Sequence, residues 1–370
     1  MEDIRRYFGE VETEESYKGY FFSVSAAITI SVLGTFCGLR NMKQIHQWAS
    51  NDKIRRFLAE HFEIESIVCY SWYTQVLGLI RPESFSACFT KWVLNSVKVR
   101  GATLSLDGKT VCSTAKMKRY QNPLHIVSAQ LAELGITVGQ KAVDGKSNEI
   151  PAVRELLDLL EIEGCLVVAD ALHCQKETAQ KIIENKGDYL LSVKDNQPNL
   201  KSEIADYVMD AALRKTMDKA MTREKNRGRI ETRTAYSTCE IDWLYGREEW
   251  PKLACIGAIN TQFETASGKT NEWHFYISSR PLSAEQLLRH ARLEWSVETM
   301  HWLLDVHFGE DFCRAAEQRT QENLNIIRKI VLNSLRFYKN TRNSKAPFSH
   351  LMLDCMIEPL RILDFWPSLF

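Results

Sequence analysis

Residues Cys165-Leu-Val-Val-Ala-Asp170 run without a polar break until the aspartate. A strand with one face in water alternates apolar and polar side chains, whereas a strand covered on both faces reads as a continuous apolar run. This segment therefore needs a sheet with helices packed on both sides, an α/β architecture. The preceding sequence fits that demand. Thr103-Leu-Ser-Leu-Asp107 reads as a short strand ended by Gly108, and His125–Ala132 and Ile136–Val143 read as two more, joined by the tight Glu133-Leu134-Gly135 link. Ser147-Asn148 ahead of Glu149-Ile150-Pro151 marks a helix start with proline in the first turn, continued by Val153, Leu156, Leu157 and Leu160. A helix over about Gln175–Asn185 and a strand over Tyr189–Val193 complete the order β-β-β-α-β-α-β.

On either side the pattern is helical. Residues 1–100 are expected to form a helical N-terminal domain: Met42–Phe62 carries Ile45, Trp48, Ala49, Ile54, Phe57 and Leu58 between charges, and Arg81-Pro82-Glu83 opens another helix. Residues 101–370 then form the α/β domain, interrupted at about 200–278 by an insertion. The insertion mixes a basic stretch with strand-like runs at Arg233–Ile241, Leu253–Asn260 and Trp273–Ile277. Ser283 caps the first helix of a helical C-terminal end. A chain of 370 residues is long enough for such a division.

Composition excludes several classes. With 45% hydrophobic and 25% charged residues the chain is globular, neither disordered nor collagen-like. Phe21–Leu39 is uncharged, but its serines and threonines and the acidic residues before it favour a buried helix over a membrane span or signal peptide. The ten cysteines are scattered with no C-x-x-C pair, which suits buried thiols in a reducing compartment. Lys+Arg and Asp+Glu both number 47, so net charge alone points to no nucleic-acid or membrane partner.

The chemistry-bearing residues lie at strand ends. Asp107 and Asp170 each terminate an apolar strand, and adjacent strands would bring the two carboxylates together. Paired carboxylates are kept for a cation or a shared proton, and hard oxygen ligands select Mg²⁺ or Mn²⁺. The plainer alternative is that each aspartate caps the turn that follows it. Further on, Glu298, His301, Trp302 and Asp305 share one helical face, with Glu294, Asp305, Glu310 and Asp311 as competing acids.

A set of strings in order resembles a known family. Leu106-Asp-Gly-Lys109, Lys146-Ser-Asn-Glu-Ile150, Ala169-Asp-Ala171 with Cys174-Gln175, and Val193-Lys-Asp-Asn-Gln-Pro198 come first. They are followed by Gly228-Arg-Ile-Glu-Thr-Arg233, Tyr276-Ile-Ser-Ser279, Trp295-Ser-Val-Glu298, His301-Trp-Leu-Leu-Asp-Val306 and Phe308-Gly-Glu-Asp311. The set resembles the DDE transposases of the H-repeat-associated insertion-sequence group. The resemblance implies a ribonuclease-H-like mixed sheet flanked by helices. It also implies cleavage and joining of element ends by two-metal chemistry with Mg²⁺, or Mn²⁺ as substitute, on Asp107, Asp170 and Glu298. The chain departs from related enzymes around the third acid, where Ala291, Glu294 and Asp305 replace the other members of a Tyr-Arg-Glu-Lys signature. It departs again at Arg227-Gly228-Arg229, where the group usually has His-Gly-Arg. A decayed DNA-binding remnant and a metal nuclease that does not join strands are the rival readings.

With that resemblance, local charge becomes informative. Arg214–Arg233 holds eight basic residues against three acidic ones, and Asn323–Leu353 holds six and no acid. Phosphate contacts supply most nonspecific DNA affinity. The expected contacts to double-stranded DNA are Lys109, Lys194, Asn196, Arg227, Arg229, Arg233, Arg328, Lys329 and Arg336. Trp302 would stack on a flipped base, while Trp295 would pack in the core. His173 and His301 are read as orienting groups. Joining two DNA ends implies a homodimer on DNA.

Overall fold

The structure, a computed structural model, describes residues 4–14, 22–112, 123–144, 149–226, 229–265, 268–315 and 317–366. The N-terminal region is helical: α1 (Ile4–Phe8), α2 (Val24–Phe36), α3 (Met42–Ala49), α4 (Asp52–Phe62), α5 (Tyr70–Leu79) and α6 (Pro82–Leu94). The uncharged stretch contains α2, which the Ser23 hydroxyl caps by accepting from the Ala26 N–H and which is buried from Ala27 to Phe36. Among the described residues no helix is long and apolar enough to cross a membrane. The single helical pattern of Met42–Phe62 is two helices. Asn51 leaves helical geometry and its side chain accepts from the Lys53 N–H, starting α4 afresh.

The α/β order is as the sequence predicts. It runs β1 (Thr103–Thr110), β2 (Leu124–Leu131), β3 (Ile136–Asp144), α7 (Glu149–Leu159), β4 (Leu166–Ala169), α8 (Lys176–Glu184) and β5 (Asp188–Val193). The predicted helix start at Ser147-Asn148 lies outside the described residues. β1 pairs antiparallel with β2 and parallel with β4, and β4 pairs parallel with β5, which makes a mixed ribonuclease-H-like sheet. All four residues of β4 are fully buried, as its unbroken apolar sequence requires.

The insertion extends that sheet. After α9 (Pro198–Met209) and α10 (Ala211–Thr216) come β6 (Asp218–Asn226), β7 (Arg229–Thr238), β8 (Cys255–Thr265) and β9 (Gly268–Ser278). β9 pairs antiparallel with β5, giving the order β3-β2-β1-β4-β5-β9-β8-β7-β6. Most of the basic stretch therefore lies on the β6–β7 hairpin. Arg227, one of the expected DNA contacts, and Gly228 lie outside the described residues.

The C-terminal end comprises α11 (Ala284–Glu294), α12 (Ser296–Val306), α13 (Gln318–Thr341), α14 (Phe348–Ile357) and α15 (Ile362–Phe365). Ser283 starts α11 with a reciprocal capping box to Gln286. One hydrophobic cluster runs from Ile4 through the sheet to Phe365, and α13 lies within it against α2, α6 and β3. That position encloses two of the expected DNA contacts, Arg328 and Lys329, and partly encloses a third, Arg336. Arg328 and Lys329 are 3% and 1% exposed. The Lys329 ammonium donates to the Ser128 hydroxyl at 2.7 Å, and Arg328 lies 3.8 Å from Glu310. Arg336 is partly buried and donates to the Gly135 carbonyl. A basic run without acids is a solvated face only if the helix is at the surface, and these turns of α13 are enclosed. Several of their polar groups are met internally: Asn323 donates to the Leu77 and Ile80 carbonyls, and Asn333 pairs with the Thr137 backbone in both directions.

Candidate active site

The strand register brings the two aspartates together. Leu106 of β1 lies opposite Ala169 of β4 in the parallel ladder, so the next residues, Asp107 and Asp170, follow side by side. Asp170 stands just past the end of β4, while Asp107 lies within β1, which does not end at the expected Gly108 but continues to Thr110 paired with β2. The plainer reading of Asp170 also holds in part. One of its oxygens accepts from the Leu172 N–H at 3.0 Å, capping the 3-10 turn Ala171–His173. Asn196, just beyond β5, ties that turn down by donating to the Ala171 and Cys174 carbonyls at 2.6 and 3.3 Å. Its amide is thus engaged in holding the Asp170 turn.

Helix α12 lies across from the pair. His301 Nδ1 approaches Asp107 Oδ2 at 3.3 Å, and its buried Nε2 has no hydrogen-bond partner among the described residues. Glu298 is exposed one turn earlier. Glu294, at the end of α11, is the residue that sequence spacing could not rank among the competing acids. Burial, reinforced by the charges of Asp170, Glu298 and Asp107, pushes its pKa up to about 7, with Lys194 opposing. A carboxyl that responds to all three of these acids marks the region as strongly negative. Among the described residues no group of three or more His, Cys, Asp or Glu side chains is disposed to hold a metal ion. The oxygen-only donors of the Asp107–Asp170 pair nevertheless suit Mg²⁺ or Mn²⁺, and a cation there would offset the charge that keeps Glu294 protonated.

The raised Glu294 pKa has a testable consequence. In the unfolded chain this carboxyl ionises near its ordinary value of 4.5, but in the folded protein only at about 7. The folded state therefore holds the extra proton between those values, and stability falls as pH rises through the window. Glu294→Gln does not titrate, so its stability relative to the parent should increase by about 2–3 kcal/mol between pH 4.5 and 8. Urea unfolding at the two pH values measures this; a difference independent of pH would contradict it.

Beside Glu294 and Glu298, a cleft of about 330 Å³ opens between the inserted strands and α11–α12, lined also by Lys194, Arg233, His274 and Trp295 among others. Lys194 is exposed at its rim. Arg229 is exposed with its guanidinium 4.6 Å from the Phe263 ring centroid. Arg233 departs from expectation: it is 7% exposed and paired with Glu231 and Glu224. Lys109 is likewise engaged, with its ammonium on Asp305, on Glu310 at 3.0 Å and on Asp311 at 3.8 Å. Trp302 is 58% exposed. Trp295, expected in the core, is 51% exposed beside Arg233.

Beneath the pair lies a cluster that sequence reasoning missed. Buried Glu149 bridges two buried histidines, His125 Nε2 at 2.7 Å and His173 Nε2 at 3.0 Å, and Thr110 bonds His125 Nδ1 at 2.9 Å. Burial alone would raise the Glu149 pKa, but the two histidine hydrogen bonds overcome it and hold the carboxyl down at about 2. Gly108 makes room for the cluster, since a Cβ there would fall 2.4 Å from His125 Nε2. The available signal was a histidine within the largely apolar strand Leu124–Leu131, which also holds Ser128 and Gln130.

Comparison with known proteins gives a consistent result. The family described as "Transposase DDE domain" matches residues 96–334. "H repeat-associated putative transposase YhhI" of Escherichia coli K12 is 31% identical over 292 residues, covering 75% of this chain and 76% of that protein. "Putative transposase YncI" of Escherichia coli O157:H7 is 32% identical over 275 residues, covering 72% of this chain and 70% of that protein. A solved piggyBac transposase synaptic complex with hairpin DNA aligns at TM-score 0.48 and 10% identity, over 99% of this chain and 80% of that one.

Proposed function

The chain belongs to the transposase DDE domain family, and from that premise we propose that it cleaves and joins the DNA ends of a mobile element at the Asp107–Asp170 pair. The observation that carries the reading is the parallel register that sets these two carboxylates side by side. Asp107 and Asp170 would hold Mg²⁺, or Mn²⁺ in its place, with Glu298 completing the set from α12. The ions, when bound, supply charge neutralisation for the phosphate undergoing in-line displacement. Glu294, titrating near neutrality, can hold or release a proton beside the reacting groups. Exposed Lys194 and Arg229 are placed to take backbone phosphates, and the exposed indole of Trp302 offers a stacking face for an extrahelical base. Engaging two ends together calls for a homodimer on DNA, acting in the cytoplasm.

An end-joining assay tests this reading. With Mg²⁺ and a donor duplex carrying the element's terminal repeats, the protein should nick the repeat ends and insert them into a target plasmid. Nicking without joined products would identify a nuclease. Binding without nicking in either Mg²⁺ or Mn²⁺ would identify a remnant that has lost catalysis.

A further inference from the structure

Strand β1 and helix α12 are joined by three polar contacts in regular succession. Ser105 Oγ meets Ser296 Oγ at 2.9 Å, Asp107 meets His301 at 3.3 Å, and Lys109 meets Asp305. Each step is two residues along the strand and five or four along the helix. Two strand residues advance about 6.7 Å, while four to five helical residues advance about 6–7.5 Å. The two elements therefore stay in step over all three contacts, and β1 acts as a ruler for α12.

We infer that Lys109 and Asp305 form a positioning pair that fixes the rotation and axial register of α12, and thereby aims Glu298 at the Asp107–Asp170 pair. Glu298 and Asp305 are seven residues apart, which places them within about 20° of each other around the helix axis. Holding Asp305 consequently holds the azimuth of Glu298. Lys109 stands two residues from Asp107, so the same strand carries both the first acid and the anchor for the helix bearing the third.

The anchor is itself braced. Glu310 is 1% exposed, accepts from Lys109 at 3.0 Å and from Asn325 at 2.6 Å, and lies 3.8 Å from Arg328. Asp311 accepts from the Cys112 N–H at 3.1 Å. With these acids fixing the ammonium from the far side, Lys109 is a rigid post on which Asp305 rests.

This inference rests on the proposed strand-cleaving role of Glu298, so its test includes a measurement independent of activity. Asp305→Ala removes the half-buried side of the pair, and Lys109→Met removes the anchor; the first leaves the Glu310 network intact if the second fails to fold. In Asp305→Ala, hydrogen exchange should accelerate in the 296–306 peptide while that of the β1 and β4 peptides stays unchanged. Mn²⁺ alone, followed by its paramagnetic resonance signal, should bind about tenfold more weakly, and cleavage should slow by about 10–100-fold with DNA affinity unchanged. Unchanged exchange in 296–306 overturns the positioning pair whatever the activity. Faster exchange with Mn²⁺ affinity and cleavage rate both intact also overturns it, because α12 would then loosen without displacing Glu298. If the parent protein cleaves nothing while exchange and Mn²⁺ affinity change as expected, the pair stands and the strand-cleaving reading falls.

Discussion

Asp107→Asn, or equally Asp170→Asn, should lower metal-dependent strand cleavage by more than about 10³-fold, on the order of 4 kcal/mol in the barrier, without loss of folding. The physical reason lies in the register of β1 and β4, which brings two carboxylates side by side where β4 ends against the middle of β1. Asparagine preserves shape but removes a negative charge, and with it the hard anionic oxygen that a divalent cation prefers. Because like charges repel, the substitution should leave thermal stability unchanged or raise it slightly, the usual relation between an active site and the stability it costs. It should also relax the field on Glu294, whose pKa should fall from about 7. Cleavage rates, melting curves and a titration of Glu294 check the three statements. Full cleavage in either variant would remove both aspartates from the chemistry.

Glu149→Ala should produce the largest loss of stability, about 3–5 kcal/mol, because it leaves two buried histidines without their shared carboxylate. The contribution depends on pH in a definite direction. The folded carboxyl titrates at about 2 against an ordinary value of 4.5, so the stabilisation is fully present above about 4.5 and is lost as pH falls towards 2. The gap between parent and variant should therefore be widest near pH 7 and narrow as the solution is acidified below 4.5. Unfolding in urea at pH 7, 4 and 3 measures it. A gap that stays constant across that series would mean that Glu149 acts through packing and not through its charge. The loss should also reach catalysis, because the cluster ties β1, β2 and the start of α7 to the turn that follows Asp170.

Much of the core was legible because its signals are local. The unbroken apolar run before Asp170 requires two covered faces, and the turn at Gly135 separates two strands that pair antiparallel in the structure. Helix starts at Pro82 and Ser283 follow from backbone hydrogen-bonding needs that any helix must meet. The distribution of charge was less legible. Arg328 and Lys329 sit in a run that reads as a basic face, yet the N-terminal helices and the sheet close over it. The Lys109–Asp305 pair joins residues almost two hundred positions apart, beyond the reach of any spacing rule.

The sequence alone therefore determined the strand and helix order, the position of Asp170 at the end of a buried strand, and the resemblance to DDE transposases. Periodicity, turn chemistry and motif order are properties of neighbouring residues, and folding does not alter them. Only the tertiary structure decided which cations face solvent, which acid is pressed towards neutrality and which partners brace the acids. Burial and electrostatic fields arise from groups far apart in the chain, and packing alone brings them together.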